Sequence, residues 1–592
     1  MNNKGWSRVL TVMLVLALAV VACDVGSSTD SATPLPAATD TPPIPEDAIE
    51  ISIIYAPESD LYLKTAIEDF NRAYREGRNP LTGEPLADSE NPIFVTGRSG
   101  SSGTVMQGIV NAFIAPNNVN VERPTIFAPS VSHWLALANF QAGREVFDLA
   151  NSPATANAPV VMAIWKSRLD AIQQAHPDDQ IGWSHLLEVL NNPEGWAAYG
   201  IGGDRKTVYY GHTDPFISST ALSTLIAEYV ASADANGIQE RRLSLDTVTN
   251  ADVQQGVRNI ENLIRHYSQR TTEFKEYIAQ GPEYLDFVAL EENDLIFINQ
   301  GKTEYQPPEP LVALYPAEGT FWHEHPFAIP QADWVSDEQA EAARIFTEYI
   351  LSPVVQEQVM ANGFRPVNPA VPIGYPISPD LGVDPDQPLT VLEVPDPAVI
   401  SAVQESWSFV KKQADIWLVI DISGSMFGDK LDEAKKAAVN FIDQTEPRNR
   451  VGLITFNRGT QVVVPLDVVE TNSNDLKNAI NRLQADGDTA LYDAVVQSID
   501  LMARDDSNDR IQAVILLSDG ANTVDNRTRQ EAVDRITAER QAQNPVVVIP
   551  IAYGADADIS ILNAFARAGN TRVQSGNPDE IRLLLELISS YF

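Results

Sequence analysis

The apolar run Ile416-Trp417-Leu418-Val419-Ile420 stops on Asp421-Ile422-Ser423-Gly424-Ser425-Met426, and an amphipathic helix begins near Lys430. A short apolar run closed by a turn reads as a buried strand, so a strand, a polar loop and a helix follow one another here. Extended chain points alternate residues the same way, which lets Asp421, Ser423 and Ser425 aim one carboxylate and two hydroxyls at a common point. Three hard oxygens suit Mg²⁺, with Mn²⁺ or Ca²⁺ as alternatives, and such ions keep waters rather than being wholly enclosed by protein. An open coordination position is therefore expected.

Two later segments add to this set. Asp486-Gly487-Asp488-Thr489-Ala490-Leu491-Tyr492 is a turn-rich loop entering a helix and offers the hydroxyl of Thr489. Ala513 to Ser518 reads as a buried parallel strand that ends on a second carboxylate, Asp519, before Gly520. Asp421 or Asp519 taken singly could simply cap a helix or end a strand. The five positions together resemble the von Willebrand factor A family, whose metal-ion-dependent adhesion site combines an Asp-x-Ser-x-Ser strand end, a loop Thr and a second strand-end Asp. The resemblance implies that Ser423 and Ser425 bind the metal directly. It also implies that Asp421, Thr489 and Asp519 bind it directly or through water, and that a partner's carboxylate takes the open position. It covers residues 414–592, where strand-like runs at 416–422, 450–457, 460–469, 511–518 and 546–553 alternate with helical patterns. Such alternation predicts an α/β fold, a doubly wound parallel sheet with helices on both faces and ligands at the carboxyl ends of its strands.

At the other end, Lys4 and Arg8 precede the apolar run Val9 to Ala22, which is short for a membrane span and fits the core of a secretion signal, residues 1–22. It closes on Val20-Val21-Ala22-Cys23, which resembles the lipobox of bacterial lipoproteins. That resemblance implies lipidation of Cys23, the only cysteine of the chain. A lone cysteine has no disulfide partner within its own chain, so an anchor explains it better. The expectation is an extracytoplasmic protein held to the membrane by lipid alone. Residues 23–48 are rich in Ser, Thr, Ala and Pro and predict an extended tether, of roughly 70 Å at ~3.1 Å per residue.

Residues 49–399 are too many for one core and predict two lobes. Ile51 to Tyr55 reads as a strand, Leu61 to Phe70 as a helix, and Ile93 onward as a strand running through Ser99-Gly100-Ser101-Ser102-Gly103-Thr104 into a helix. A helix start lined by hydroxyls can bind an anion or polar ligand, which makes Ser99, Ser101, Ser102 and Thr104 candidates. Thr213, Ser218 and Ser219 form a second set of the same kind. The segments Ala128 to Ser130, Asn157 to Ala163, Gly211 to Pro215, Tyr315 to Phe321 and Gly363 to Val367 resemble landmarks of bacterial extracellular solute-binding proteins related to molybdate- and sulfate-binding proteins. This implies a type II periplasmic-binding fold whose two lobes close on a small molecule. Glu58 departs from the pattern, because a carboxylate facing the cleft would repel an oxyanion.

His323-Glu324-His325 lacks an evident third zinc ligand, and a rim or hydrogen-bonding role is expected instead. Val371 to Pro397 reads as a linker or wrapping tail, and residues 400–413 as a helix joining the modules. No catalytic nucleophile context occurs, so no enzyme is expected. The net charge of −39, from 41 Lys and Arg against 80 Asp and Glu, argues against nucleic acid as a partner. The sequence thus predicts metal-dependent binding of an acidic protein partner, coupled to a solute-binding module. The alternative is the receptor of an ABC importer with the C-terminal domain as accessory.

Overall fold

A computed structural model describes residue 44 and residues 47–589, except 88–89, 119, 203–207, 241, 269–270, 505–509, 541–543, 555–556, 570, 572 and 578–579. The expected signal 1–22, Cys23 and nearly all of the tether lie outside the described residues. Among the described residues no helix is long and apolar enough to cross a membrane.

Residues 49–399 build two α/β lobes. In the first, β1 (Ile49–Tyr55) lies parallel between β2 (Ile93–Ser99) and β3 (Ile126–Ala128). The second lobe holds β4 (Ala158–Trp165), β5 (Tyr210–Thr213), β6 (Ile264–Ser268), β7 (Phe287–Glu291), β8 (Leu311–Leu314) and β9 (Trp322–His323). Its sheet runs β6-β5-β7-β4-β8, with β9 paired to β4. The chain then returns to the first lobe, where Ala328 pairs with Phe127 and the helices Asp337–Ile350 and Pro353–Ala361 follow. Ile53, Leu63, Phe70, Phe327, Phe346 and Phe364 belong to the first lobe's core, so sequence-distant segments complete it. The helices start where the chemistry favours it: Ser336 and Gln339 form a reciprocal capping box, and Pro353 occupies a first helical turn.

Val371 to Pro397 is the wrapping tail of the two expected alternatives. The Ala313 N–H donates to Gly382, and Thr320 pairs with Val391. The joining helix is Pro397–Val410 rather than 400–413, because the chain turns extended at Lys411 to enter the next strand. It is packed, not free: Val403, Trp407 and Val410 are buried, and Tyr229 donates to Ser406 at 2.6 Å.

The third sheet contains β10 (Ala414–Asp421), β11 (Arg450–Phe456), β12 (Thr460–Val468), β13 (Ile511–Ser518), β14 (Val546–Tyr553) and β15 (Gln574–Gly576). Their order is β12-β11-β10-β13-β14-β15, and β10, β11, β13, β14 and β15 are parallel. Leu418 and Ile420 point into one core, with Leu431, Ala434 and Phe441 of the helix Asp429–Gln444. Trp417 and Val419 point into the other, with Val495, Ile536 and Phe565. Helices therefore cover both faces, as the two-sided apolar strands require. One difference from the expected parallel sheet is β12, which is antiparallel to β11. Only residues 457–459 join them, and a parallel crossover needs about a dozen residues.

Candidate functional site

β10 and β13 are neighbours, and Ile420 pairs with Leu517, so Asp421 and Asp519 end adjacent parallel strands on the same edge. Both carboxylates are buried. The turn after β10 is shaped locally: the Ser423 N–H donates to Asp421 Oδ1 at 2.9 Å, and the hydroxyls of Ser423 and Ser425 are 3.1 Å apart. Ser425 Oγ donates to Asp519 Oδ1 at 2.7 Å. Four of the five sequence candidates are thus linked in one chain of contacts. Thr489 is brought beside them through its loop. The Gly424 N–H donates to the Gly487 carbonyl at 2.9 Å, and the Asp486 N–H to the Ile422 carbonyl at the same distance. Gly487 has φ +85°, a conformation glycine adopts without strain, and a Cβ on Gly424 would lie 3.3 Å from its oxygen.

Sequence reasoning missed several residues that support this set. Ser518 Oγ donates to Asp421 Oδ2 at 2.8 Å, and Lys430 Nζ lies 2.8 Å from Asp519 Oδ2. Thr523 Oγ1 accepts from the Thr489 N–H at 2.8 Å, while Asn457 donates to the Asp486 carbonyl at 3.0 Å. Adjacency to Asp519 could have pointed to Ser518. Lys430 needed the helix register.

Burial pushes the Asp421 carboxyl up to about 6. Hydrogen bonds from Ser423 and Ser518 oppose the rise, and the charge of Asp519 adds to it. Two buried carboxylates beside the hydroxyls of Ser423 and Ser425 at a strand edge fit a divalent cation that prefers oxygen ligands. Ser425 and Phe427 stand exposed at the rim, Phe427 with 82% of its surface open.

The second candidate site lies between the two lobes. A cavity of about 20 Å³ is lined by Glu58, Ser101, Ser102, Ser130, Ser218, Ser219 and Thr271, among others. It has room for about one water. Ser101, Ser102, Ser218 and Ser219 are therefore together, and Thr213 joins them at one remove, its hydroxyl 3.3 Å from that of Thr271. Ser99 and Thr104 are exposed and outside the lining. The lobes touch closely: the Gly103 N–H donates to the Ile217 carbonyl at 3.0 Å, and Trp134 donates to Ser219 at 2.9 Å. Glu58 does face this cavity. Burial, then the charges of Glu291 and Asp294, push its carboxyl up to about 8, so it is mostly neutral at pH 7 and repels an anion little.

His323 and His325 are buried rather than at a rim, and both are hydrogen-bonded on both nitrogens. Glu291 bridges them at 2.7 and 3.2 Å, while Ser223 and Ser59 take the other sides. The expected hydrogen-bonding role is what their contacts provide.

Residues 415–584 match the family described as von Willebrand factor type A domain. An uncharacterized protein of Synechocystis sp. is 35% identical over 108 residues, 18% of this chain and 25% of that protein. The chain thus spans a quarter of that relative's length. Among solved structures, a periplasmic thiamin-binding protein has TM-score 0.41 and 12% identity, over 62% of this chain and 98% of its own. The sulfate-binding protein of Mycobacterium tuberculosis has TM-score 0.34 and 19% identity, over 54% of this chain and 88% of its own. Residues 415–584 are a von Willebrand factor type A domain.

Proposed function

We propose that this chain is a lipid-anchored, extracytoplasmic binding protein. Its type A domain grips an acidic residue of a protein partner through Mg²⁺ held by Asp421, Ser423, Ser425, Thr489 and Asp519. The observation that carries this reading is the convergence of two buried carboxylates from adjacent strand ends with the hydroxyls of Ser423 and Ser425. Exposed Ser425 and Phe427 leave the rim open to a partner, and an exposed aromatic beside a charged anchor is common at contact surfaces. On this reading the chain binds and does not transform, Cys23 carries the lipid, and the solute-binding-like module is coupled to the type A domain through the packed helix Pro397–Val410.

The importer-receptor reading rests on the hydroxyl-lined cavity between the lobes. That cavity holds about one water, so capture of a solute requires the lobes to part. Cell adhesion separates the two readings. Cells displaying the chain should bind their partner surface in Mg²⁺ and lose it in EDTA or with Asp421→Ala; adhesion unchanged by both treatments sinks the first reading.

A further inference from the structure

The second lobe contains a group of side chains that neither function uses. His212 on β5, Glu228 on the helix Ser219–Ala235 and Glu261 at the end of the helix Ala251–Glu261 are all buried. One ring nitrogen of His212 and one oxygen from each glutamate lie within 4.8 Å of one another. Each carboxylate is oriented from behind by a phenol: Tyr210 donates to Glu228 Oε1 at 3.1 Å, and Tyr267 to Glu261 Oε2 at 2.7 Å. The opposite oxygens, Glu228 Oε2 and Glu261 Oε1, lack a well-aligned hydrogen-bond partner although the two carboxyls lie within reach of each other, and both nitrogens of His212 lack one beside the Thr213 and Ala221 backbone. Trp407 of the joining helix covers the imidazole, ring centres 5.4 Å apart.

Hydrogen-bonded carboxylates gathered beside a buried imidazole are the arrangement that metal sites use, with outer partners fixing each ligand. One proton shared between Glu228 and Glu261 would satisfy their two oxygens, while the backbone of Thr213 and Ala221 beside His212 is not aligned to satisfy its ring. Lys411 stands over the Tyr267 ring at 4.6 Å, and its charge acts on Asp214, Glu446 and Glu261.

We infer that His212, Glu228 and Glu261 form a buried site for a zinc-class divalent ion within the second lobe, beside Trp407 of the joining helix. The mixed nitrogen and oxygen set separates it from the all-oxygen site at Asp421, since imidazole favours Zn²⁺ over Mg²⁺ or Ca²⁺. Zinc bonds of about 2.0–2.2 Å place ligands roughly 3.5 Å apart, so the ion need draw these atoms in by only about 1 Å.

The test uses the full chain carrying Asp421→Ala, which removes the first site and keeps the outcome independent of it. After chelator stripping, the chain should take up about one equivalent of Zn²⁺ by elemental analysis. Co²⁺ in its place should give visible bands stronger than those of the aqueous ion. Glu228→Gln and Glu261→Gln should each weaken Zn²⁺ at least tenfold. A chain that takes up no Zn²⁺ and leaves Co²⁺ with its aqueous spectrum overturns the assignment, as does uptake unchanged in both glutamine variants. If those variants fail to fold, the Co²⁺ spectrum of the Asp421→Ala chain that also carries His176→Gln and His185→Gln, which removes the second group of His176, Asp179 and His185, decides instead.

Discussion

Ser425 Oγ donates to Asp519 Oδ1 at 2.7 Å, joining the loop after β10 to the end of β13 across 94 positions of sequence. On its other oxygen Asp519 meets Lys430 Nζ at 2.8 Å. An ammonium there offsets the charge of a buried carboxylate and competes with any cation that approaches.

Lys430→Met should therefore lower the stability of the metal-free chain and tighten its hold on Mg²⁺. A factor of about ten, or 1.4 kcal/mol, is the expected scale for one nearby charge at a partly exposed position. Thermal unfolding with and without Mg²⁺ reads both effects. An unchanged Mg²⁺ response assigns Lys430 no part in the site.

Glu58 sets a pH dependence of defined sign. Its folded carboxyl is raised from 4.5 to about 8, so the folded state holds the proton longer. The stability this gives is complete below about pH 4.5 and is lost as pH rises toward 8. Glu291, held at about 2 by His325 and His323 against the burial that opposes them, acts in the separate window below pH 4.5. Glu58→Gln mimics the protonated form at every pH. Its stability relative to the unsubstituted chain should rise by about 3 kcal/mol between pH 5 and 7.5, at 1.4 kcal/mol per unit. A constant difference across that range contradicts the assignment.

Gly103 governs how closely the lobes approach. A Cβ there would lie 1.9 Å from the Phe216 carbonyl oxygen, which is backbone and cannot swing aside. Gly103→Ala should part the lobes and shift the scattering profile toward a larger radius of gyration. It should also cost about 1–3 kcal/mol, as overpacking does. An unaltered profile would mean that the lobes already stand open in solution.

Arg365 grips Glu292 with two hydrogen bonds, Nε to Oε2 at 2.8 Å and Nη2 to Oε1 at 2.7 Å, both side chains buried. Removing one partner strands a buried charge. Arg365→Ala should destabilise by about 3–5 kcal/mol, and adding Glu292→Ala should recover part of that loss. Denaturant titration of the single and double variants measures both.

Much of the candidate site at Asp421 was legible because its determinants are local. Apolar β-branched runs announced β10 and β13; β10 stops on Asp421, and β13 stops one residue before Asp519. The direction of β12 depended on the shortness of residues 457–459, a cue that periodicity alone does not weigh. Of the two roles expected for the histidine pair, the rim fails because β9 ends at His323, His325 takes φ +43° and both rings are buried against Glu291. His212, Glu228 and Glu261 had no sequence signature at all: tertiary packing of β5 against two helices brings them together, and no short spacing records it.

The most direct test of the account is isothermal titration of Mg²⁺ into the purified full chain and its Asp421→Ala variant. One equivalent bound by the first and lost in the second is predicted. No Mg²⁺ or Mn²⁺ binding by the unsubstituted chain, or equal binding by both, would contradict a metal centre at Asp421.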